Sequence, residues 1–322
     1  MSQSSNNNRI CLPLFISIPI PPPPLFVIAA GRINACNIVG EPKCQKIEDD
    51  MKDFVFKIIA ELTIADRAFV FKYKYLMPVL QDGPNCGLAA LSMVTSCKKE
   101  IIKLEDIFDY AKSKGFSNNG EMFSVHYMAE IAQALIGCDV KILEDGIRNK
   151  EIIIDEILSG GLLLIPYDAD FNHSPCKKKG HRAHWAVVCG LILEGMPPAE
   201  SLEQDDSIKG NCIQYLPGER KFTIKQMSKA FVPDKLFMLA RQGKSLHPAV
   251  WKYDDLKDSN ENLVEFDPTK AASEMNYIIP PEGVEGGLKG KALILKGLPS
   301  TTVDELGNYV KILKNLVELE SI

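Results

Sequence analysis

Gln81-Asp82-Gly83-Pro84-Asn85-Cys86-Gly87-Leu88 is the stretch from which the rest of the chain is read. Gly83-Pro84 forces a turn, since proline fixes φ and glycine adopts conformations closed to other residues. Directly after it, Leu88, Ala89, Ala90, Leu91, Met93 and Val94 predict a helix apolar almost all round, which belongs in a core. Asn85 is placed to cap that helix through its side chain. Cys86 therefore opens a helix, where unpaired amides and the helix dipole favour a thiolate, the reactive form. Gly87 leaves room for a carbonyl group to approach the sulfur. Gln81, five residues upstream, carries an amide that can join the Cys86 backbone N–H in holding a negative oxygen.

A nucleophilic thiol needs a base. The chain has five histidines, at 126, 173, 181, 184 and 247. His126 falls on a predicted helix, and His247 precedes Pro248 in a loop. His184 opens a near-continuous apolar run to Leu193, which reads as a strand buried on both faces and would hold an imidazole rigidly. Trp185 then points to the opposite face. His181 is the rival, but it stands in the loop before the strand. A thiol at a helix start, an imidazole on a strand and an upstream amide are the parts of a cysteine peptidase. A buried, inert side chain is the ordinary fate of a cysteine, and the other eight cysteines are read that way.

Around this pair the pattern alternates between helices and strands. Leu104 to Ala111 predicts an amphipathic helix, and Ser124 starts another that Gly137 ends. Cys138 to Leu143, Leu162 to Ile165 and Lys235 to Ala240 read as strands, with a helix over Glu151 to Leu158 stopped by Gly160-Gly161. Lys74 to Leu80 reads as a short extended segment. The fold class is α+β, with the nucleophile's helix packed on an antiparallel sheet that carries the histidine. Residues 1–45 read as a disordered, proline-rich segment, 46–298 as the catalytic domain, and 299–322 as a C-terminal helix with an apolar stripe from Val303 to Val317.

Composition narrows the classes. A formal charge of −5 argues against a general nucleic-acid binder, which would need a basic face. Nine scattered cysteines with no Cys-x-x-Cys pair favour free thiols in a reducing, cytoplasmic setting. The apolar run from Leu12 to Ala30 resembles a signal or anchor segment, but Pro13, Pro19 and Pro21 to Pro24 break any spanning helix. A polyproline II segment is the better reading. No cofactor is implied. His173, Cys176, His181 and His184 offer an alternative, a zinc module, yet their spacing matches no standard finger and lysines lie between them.

Leu164 to His173, Gly180-His181-Arg182-Ala183-His184-Trp185-Ala186-Val187 and Arg241-Gln242-Gly243-Lys244-Ser245, together with the Cys86 stretch, resemble the actin maturation protease family. The resemblance runs in order over roughly residues 75 to 295. It implies a papain-like fold similar to the bacteriocin-processing cysteine peptidases. It implies removal of the N-acetylated Met or Cys from actin, and a proline-rich segment that engages profilin. It also implies that Lys177, Lys178, Lys179 and Arg182 lie near the acidic leaving side of the cleaved bond, against the commoner reading of a solvated loop. Gln242, just past a predicted strand, is the candidate to orient His184, with Asp205, Asp206, Asn211 or a simple Cys–His dyad as alternatives. A catalytically inactive adaptor for profilin or actin is the remaining reading, and an intact Cys86, Gln81 and His184 argue against it.

Overall fold

The computed structural model describes residues 68–98, 101–196, 212–215 and 232–299. The proline-rich segment, the residues Asp205, Asp206 and Asn211 and the C-terminal helix lie outside the described residues.

One eight-stranded sheet organises the chain. Its strands are β1 (Ala68–Tyr73), β2 (Asp139–Leu143), β3 (Leu162–Asp168), β4 (Ala183–Met196), β5 (Cys212–Tyr215), β6 (Val232–Gln242), β7 (Ala249–Lys252) and β8 (Ala292–Lys296). They run in the order β2-β8-β3-β4-β1-β5, with β6 paired to β4 and β7. Every pair is antiparallel except β1 with β5. The helices are α1 (Cys86–Thr95), α2 (Leu104–Ser113), α3 (Val125–Ile131), α4 (Lys150–Leu158), α5 (Tyr253–Glu261), α6 (Pro268–Ala271) and α7 (Gly283–Leu288). This is the expected α+β class, an antiparallel sheet with helices on its faces.

β4 is the spine. Its first half lies between β3 and β6, and its second half between β1 and β6. The change of neighbour happens at Gly190, where an added Cβ would come within 2.3 Å of the Lys72 carbonyl oxygen. Only a residue without a side chain admits β1 there. A bulge in the β6 register falls at the same place. It inverts the alternation of faces. Trp185, Val187 and Cys189 join the core under α1, α2 and α3, while Ala186 and Val188 join the core on the other face. Beyond the bulge, Leu191 and Leu193 occupy that second core and Ile192 the first. Both faces are thus covered, which explains the unbroken apolar run of the sequence.

Every residue of α1 is buried, as its all-round apolar pattern predicts. Gly87 lets it close on the sheet, because an added Cβ would lie 3.1 Å from the Trp185 ring. The Trp185 indole N–H donates to the Met122 carbonyl at 2.9 Å. α3 continues through a π-helical turn (Ala132–Ile136) and ends at Gly137, whose φ of 62° is the left-handed cap that the glycine predicts.

Candidate active site

Cys86 is the first residue of α1, and its thiol meets β4. A strand detail decides how. In the β3–β4 ladder Pro166 faces Trp185. Proline has no N–H to give, and its carbonyl is turned away to accept the Asn260 side-chain amide at 2.8 Å. Pro166/Trp185 is a non-hydrogen-bonded pair of that ladder, so the Trp185 N–H faces the other edge of β4, where β6 stops at Gln242, opposite Ala186. That N–H, one residue along the strand from His184, acts on the Cys86 thiol. Burial pushes the Cys86 thiol above its ordinary pKa. The Trp185 N–H, the Lys270 charge and the N–H groups of Gly87 and Cys86 itself pull it back down.

His184 is held on three sides. Its Nε2 lies 3.4 Å from Gln242 Oε1. The Tyr167 ring stands edge-on to the imidazole at 5.7 Å and 90°, as their pairing across β3 and β4 requires. The His173 ring stacks on it at 5.6 Å and 29°. Burial pushes the His184 pKa down to about 3, and the charges of His173, Lys244 and Lys270 act the same way against the raising effect of the Gln242 bond. At neutral pH the His184 imidazole and the Cys86 thiol are thus both uncharged.

Gln242 is nearly buried, and its Oε1 also accepts the Lys244 N–H at 2.7 Å. That second bond fixes which end of the amide faces the imidazole. Gln81 meets the same corner. Its backbone N–H donates to the Gly243 carbonyl at 2.8 Å, and an added Cβ at Gly243 would lie 2.8 Å from Gln81 Oε1. Gln81 Nε2 donates to the Gly83 carbonyl at 2.8 Å, which occupies one of its two protons and leaves the other. Asn85 departs from the sequence reading. It stands at the N-cap position of α1, but its side chain makes no capping bond, because ψ of 32° is not the extended conformation that aims a cap at the helix. Gly120 packs directly on it, with an added Cβ 2.6 Å from Asn85 Cβ. Asn85 Oδ1 and Gln81 Oε1 are buried without a hydrogen-bond partner among the described residues.

The basic loop between β3 and β4 is built on a buried carboxylate that the sequence reading passed over. Asp168 accepts the backbone N–H groups of Lys178, Gly180 and Arg182, the second at 3.0 Å. This arrangement aims the four cations differently. Lys177 pairs with Asp258 at 3.0 Å and Lys179 with Glu265 at 2.9 Å. Lys178 and Arg182 instead lie over the exposed ring of Phe171, at 4.9 and 4.6 Å. Arg182 acts electrostatically on His173. Lys244 and Lys270, which had no part in the sequence reading, act on His184. Their signal was slight: Lys244 follows Gln242 by two positions, and Lys270 stands alone on the four-residue α6.

The zinc alternative fails on geometry. His181 turns its Nε2 to Glu265 at 3.0 Å, and His173 lies flat on His184. Among the described residues no group of three or more His, Cys, Asp or Glu side chains comes together to hold a metal ion.

A thiol at a buried helix start, set against a strand whose imidazole a side-chain amide orients, is the layout of a cysteine peptidase. Residues 76–192 match the family described as "Actin maturation protease-like, C-terminal domain". The chain is 39% identical over 223 residues to the Actin maturation protease of Mus musculus, covering 67% of this chain and 61% of the mouse protein. It is 35% identical over 235 residues to that of Danio rerio, covering 69% of this chain and 72% of the fish protein. A C39-like peptidase from Bacillus anthracis superposes over 71% of this chain and 99% of its own at 11% identity, with a TM-score of 0.38. The chain belongs to the actin maturation protease family. Its match spans less than two thirds of the mouse, Bos taurus and Homo sapiens relatives, at 61%, 64% and 64% of their lengths.

Proposed function

We propose that the chain is a cytoplasmic cysteine aminopeptidase that removes the N-acetylated Met or Cys from the N-terminus of actin, with residues 46–298 as the catalytic domain. The observation that carries this reading is the His184 imidazole, neutral and held by Gln242, next along β4 to Trp185, whose backbone N–H acts on the Cys86 thiol. As the sulfur attacks the carbonyl of the acetylated residue, His184 takes the thiol proton. The Cys86 backbone N–H and the free proton of the Gln81 amide hold the oxyanion. His184 then protonates the departing peptide nitrogen. Water, deprotonated by the same imidazole, hydrolyses the thioester and releases the acetylated amino acid. Gln242 orients the ring throughout.

Of the four cations assigned to the substrate side, Arg182 and Lys178 suit an acidic leaving peptide best, since Lys177 and Lys179 carry ion pairs of their own. The name of the relatives supplies the substrate, actin, and the family resemblance supplies profilin as the carrier for the proline block. The peptidase is tested by mass spectrometry of actin N-termini in cells that lack the chain, complemented with wild type or Cys86→Ala. Restored processing with wild type only is the expected result; restoration by Cys86→Ala overturns the enzyme in favour of an adaptor. Deleting residues 1–30 tests docking. It should impair processing of profilin-bound actin more than of a free acetylated peptide, and equal impairment removes the profilin role.

A further inference from the structure

His173 has no role in the reaction described above, yet its ring covers the imidazole on which that reaction turns. It sits at the tip of the β3–β4 connection with φ of 61°. The tip is closed by Asp170. Its Oδ1 accepts the N–H groups of Asn172 and Ser174 at 2.8 Å each, and its carbonyl accepts the His173 N–H at 3.2 Å. The His173 carbonyl in turn accepts the Tyr167 hydroxyl at 2.8 Å. A glycine would adopt this left-handed backbone without steric cost. A histidine there is strained, and such residues persist where the ring itself is needed.

We propose that His173 is a positioning residue for the reaction, its ring forming the outer wall that holds the His184 imidazole in place for Cys86. Two contacts make the clamp: His173 stacked at 5.6 Å, and Tyr167 edge-on at 5.7 Å. The Tyr167–His173 hydrogen bond ties the two walls together. Gln242 fixes the third direction. With its outer face covered, the imidazole keeps water off and cannot swing out of line. Two stacked imidazoles also resist carrying two protons, so His173 keeps its neighbour neutral at low pH. The charged and titratable groups that face or act on His184 are His173, Lys244, Lys270 and Tyr167, and none of them is an anion at neutral pH. Arg182, Lys244 and Asp170 act on His173 itself.

This inference rests on His184 as the base for Cys86, so the experiment separates the two. The full chain is compared as wild type, His173→Gly, His173→Phe and His184→Ala. Three quantities are read: kcat and KM on an N-acetylated acidic peptide over pH 4 to 9, the alkylation rate of Cys86 by iodoacetamide followed by peptide mass spectrometry, and thermal stability. His173→Gly should lose about tenfold in kcat, roughly a half to a quarter of the barrier lowering that a well-placed base supplies, with little change in KM. Its acid limb should move up toward the ordinary imidazole range, and its stability should not fall. His173→Phe keeps a flat ring and should recover most of kcat. Unchanged kcat and an unchanged acid limb in His173→Gly overturn the proposal, as does a loss that Phe fails to rescue. If His184→Ala leaves both cleavage and Cys86 alkylation intact, it is the base assignment that falls, whatever the His173 variants do.

Discussion

Two cysteines of this chain share one core, Cys189 within the long strand β4 and Cys86 at the helix start packed on it, and their surroundings differ. Cys189 is sealed in the middle of β4, where its thiol donates to the Leu239 carbonyl at 3.6 Å and burial pushes its pKa up to about 12. Cys86 is almost as buried, and burial raises its pKa as well. The difference lies in what surrounds the sulfur. Cys86 has the amides of a helix start and the N–H of Trp185, a strand position past the end of β6 and next to the neutral imidazole of His184. Burial alone makes a thiol inert. Burial beside oriented donors and a base makes one that gives up its proton only as it attacks.

The sharpest break of this contrast is to remove each sulfur in turn. Cys86→Ala should abolish peptide cleavage and leave the fold intact. Cys189→Ala should leave kcat unchanged and lower stability by about 1–3 kcal/mol, read from the urea midpoint, as expected for a small buried side chain that leaves a cavity. Next in size, His184→Ala should reduce kcat by about 10²–10⁴-fold, the range a positioned general base supplies. Gln242→Ala should cost less. A neutral amide orients the ring without stabilising its charge, so the loss falls well short of the ~10⁴-fold seen when an anionic partner is disabled. A further effect is on stability against pH. His184 binds its proton at about 3 in the folded chain and near 6.5 when unfolded. The unfolded state therefore takes up protons first, and stability is full above pH ~6.5. It then falls as pH is lowered toward 3, by up to about 1.4 kcal/mol per pH unit from this group. Urea midpoints measured between pH 7 and 4 should fall less steeply in His184→Gln than in wild type.

Much of the reactive end was legible before folding, because its parts are marked by local chemistry. A turn ahead of an all-apolar helix put Cys86 at a helix start, and an apolar run put His184 at the head of a doubly buried strand, as both stand in the fold. Gln242, read from its place after a strand, does meet the imidazole. What escaped is what only the fold assembles. The stack of His173 on His184 depends on a tip conformation with positive φ, and nothing in Asn172-His173-Ser174 specifies that. The spending of Lys177 and Lys179 on Asp258 and Glu265 joins residues more than eighty positions apart. The Asn85 cap failed because a neighbouring loop, through Gly120, sets its backbone. β1 and β8 went unread for a simpler reason. Ala68–Tyr73 and Ala292–Lys296 are short, and runs of that length do not distinguish a strand from a buried turn of helix.

The central claim is that the sulfur of Cys86 and the imidazole of His184 act as one unit. Its most direct test is the rate at which iodoacetamide modifies Cys86 and Cys189 in the same folded sample at neutral pH, resolved by mass spectrometry, in wild type and in His184→Ala. Cys86 should be modified rapidly, and more slowly once the imidazole is lost, with Cys189 untouched in both. Equal rates at the two cysteines, or a Cys86 rate indifferent to His184, would contradict it.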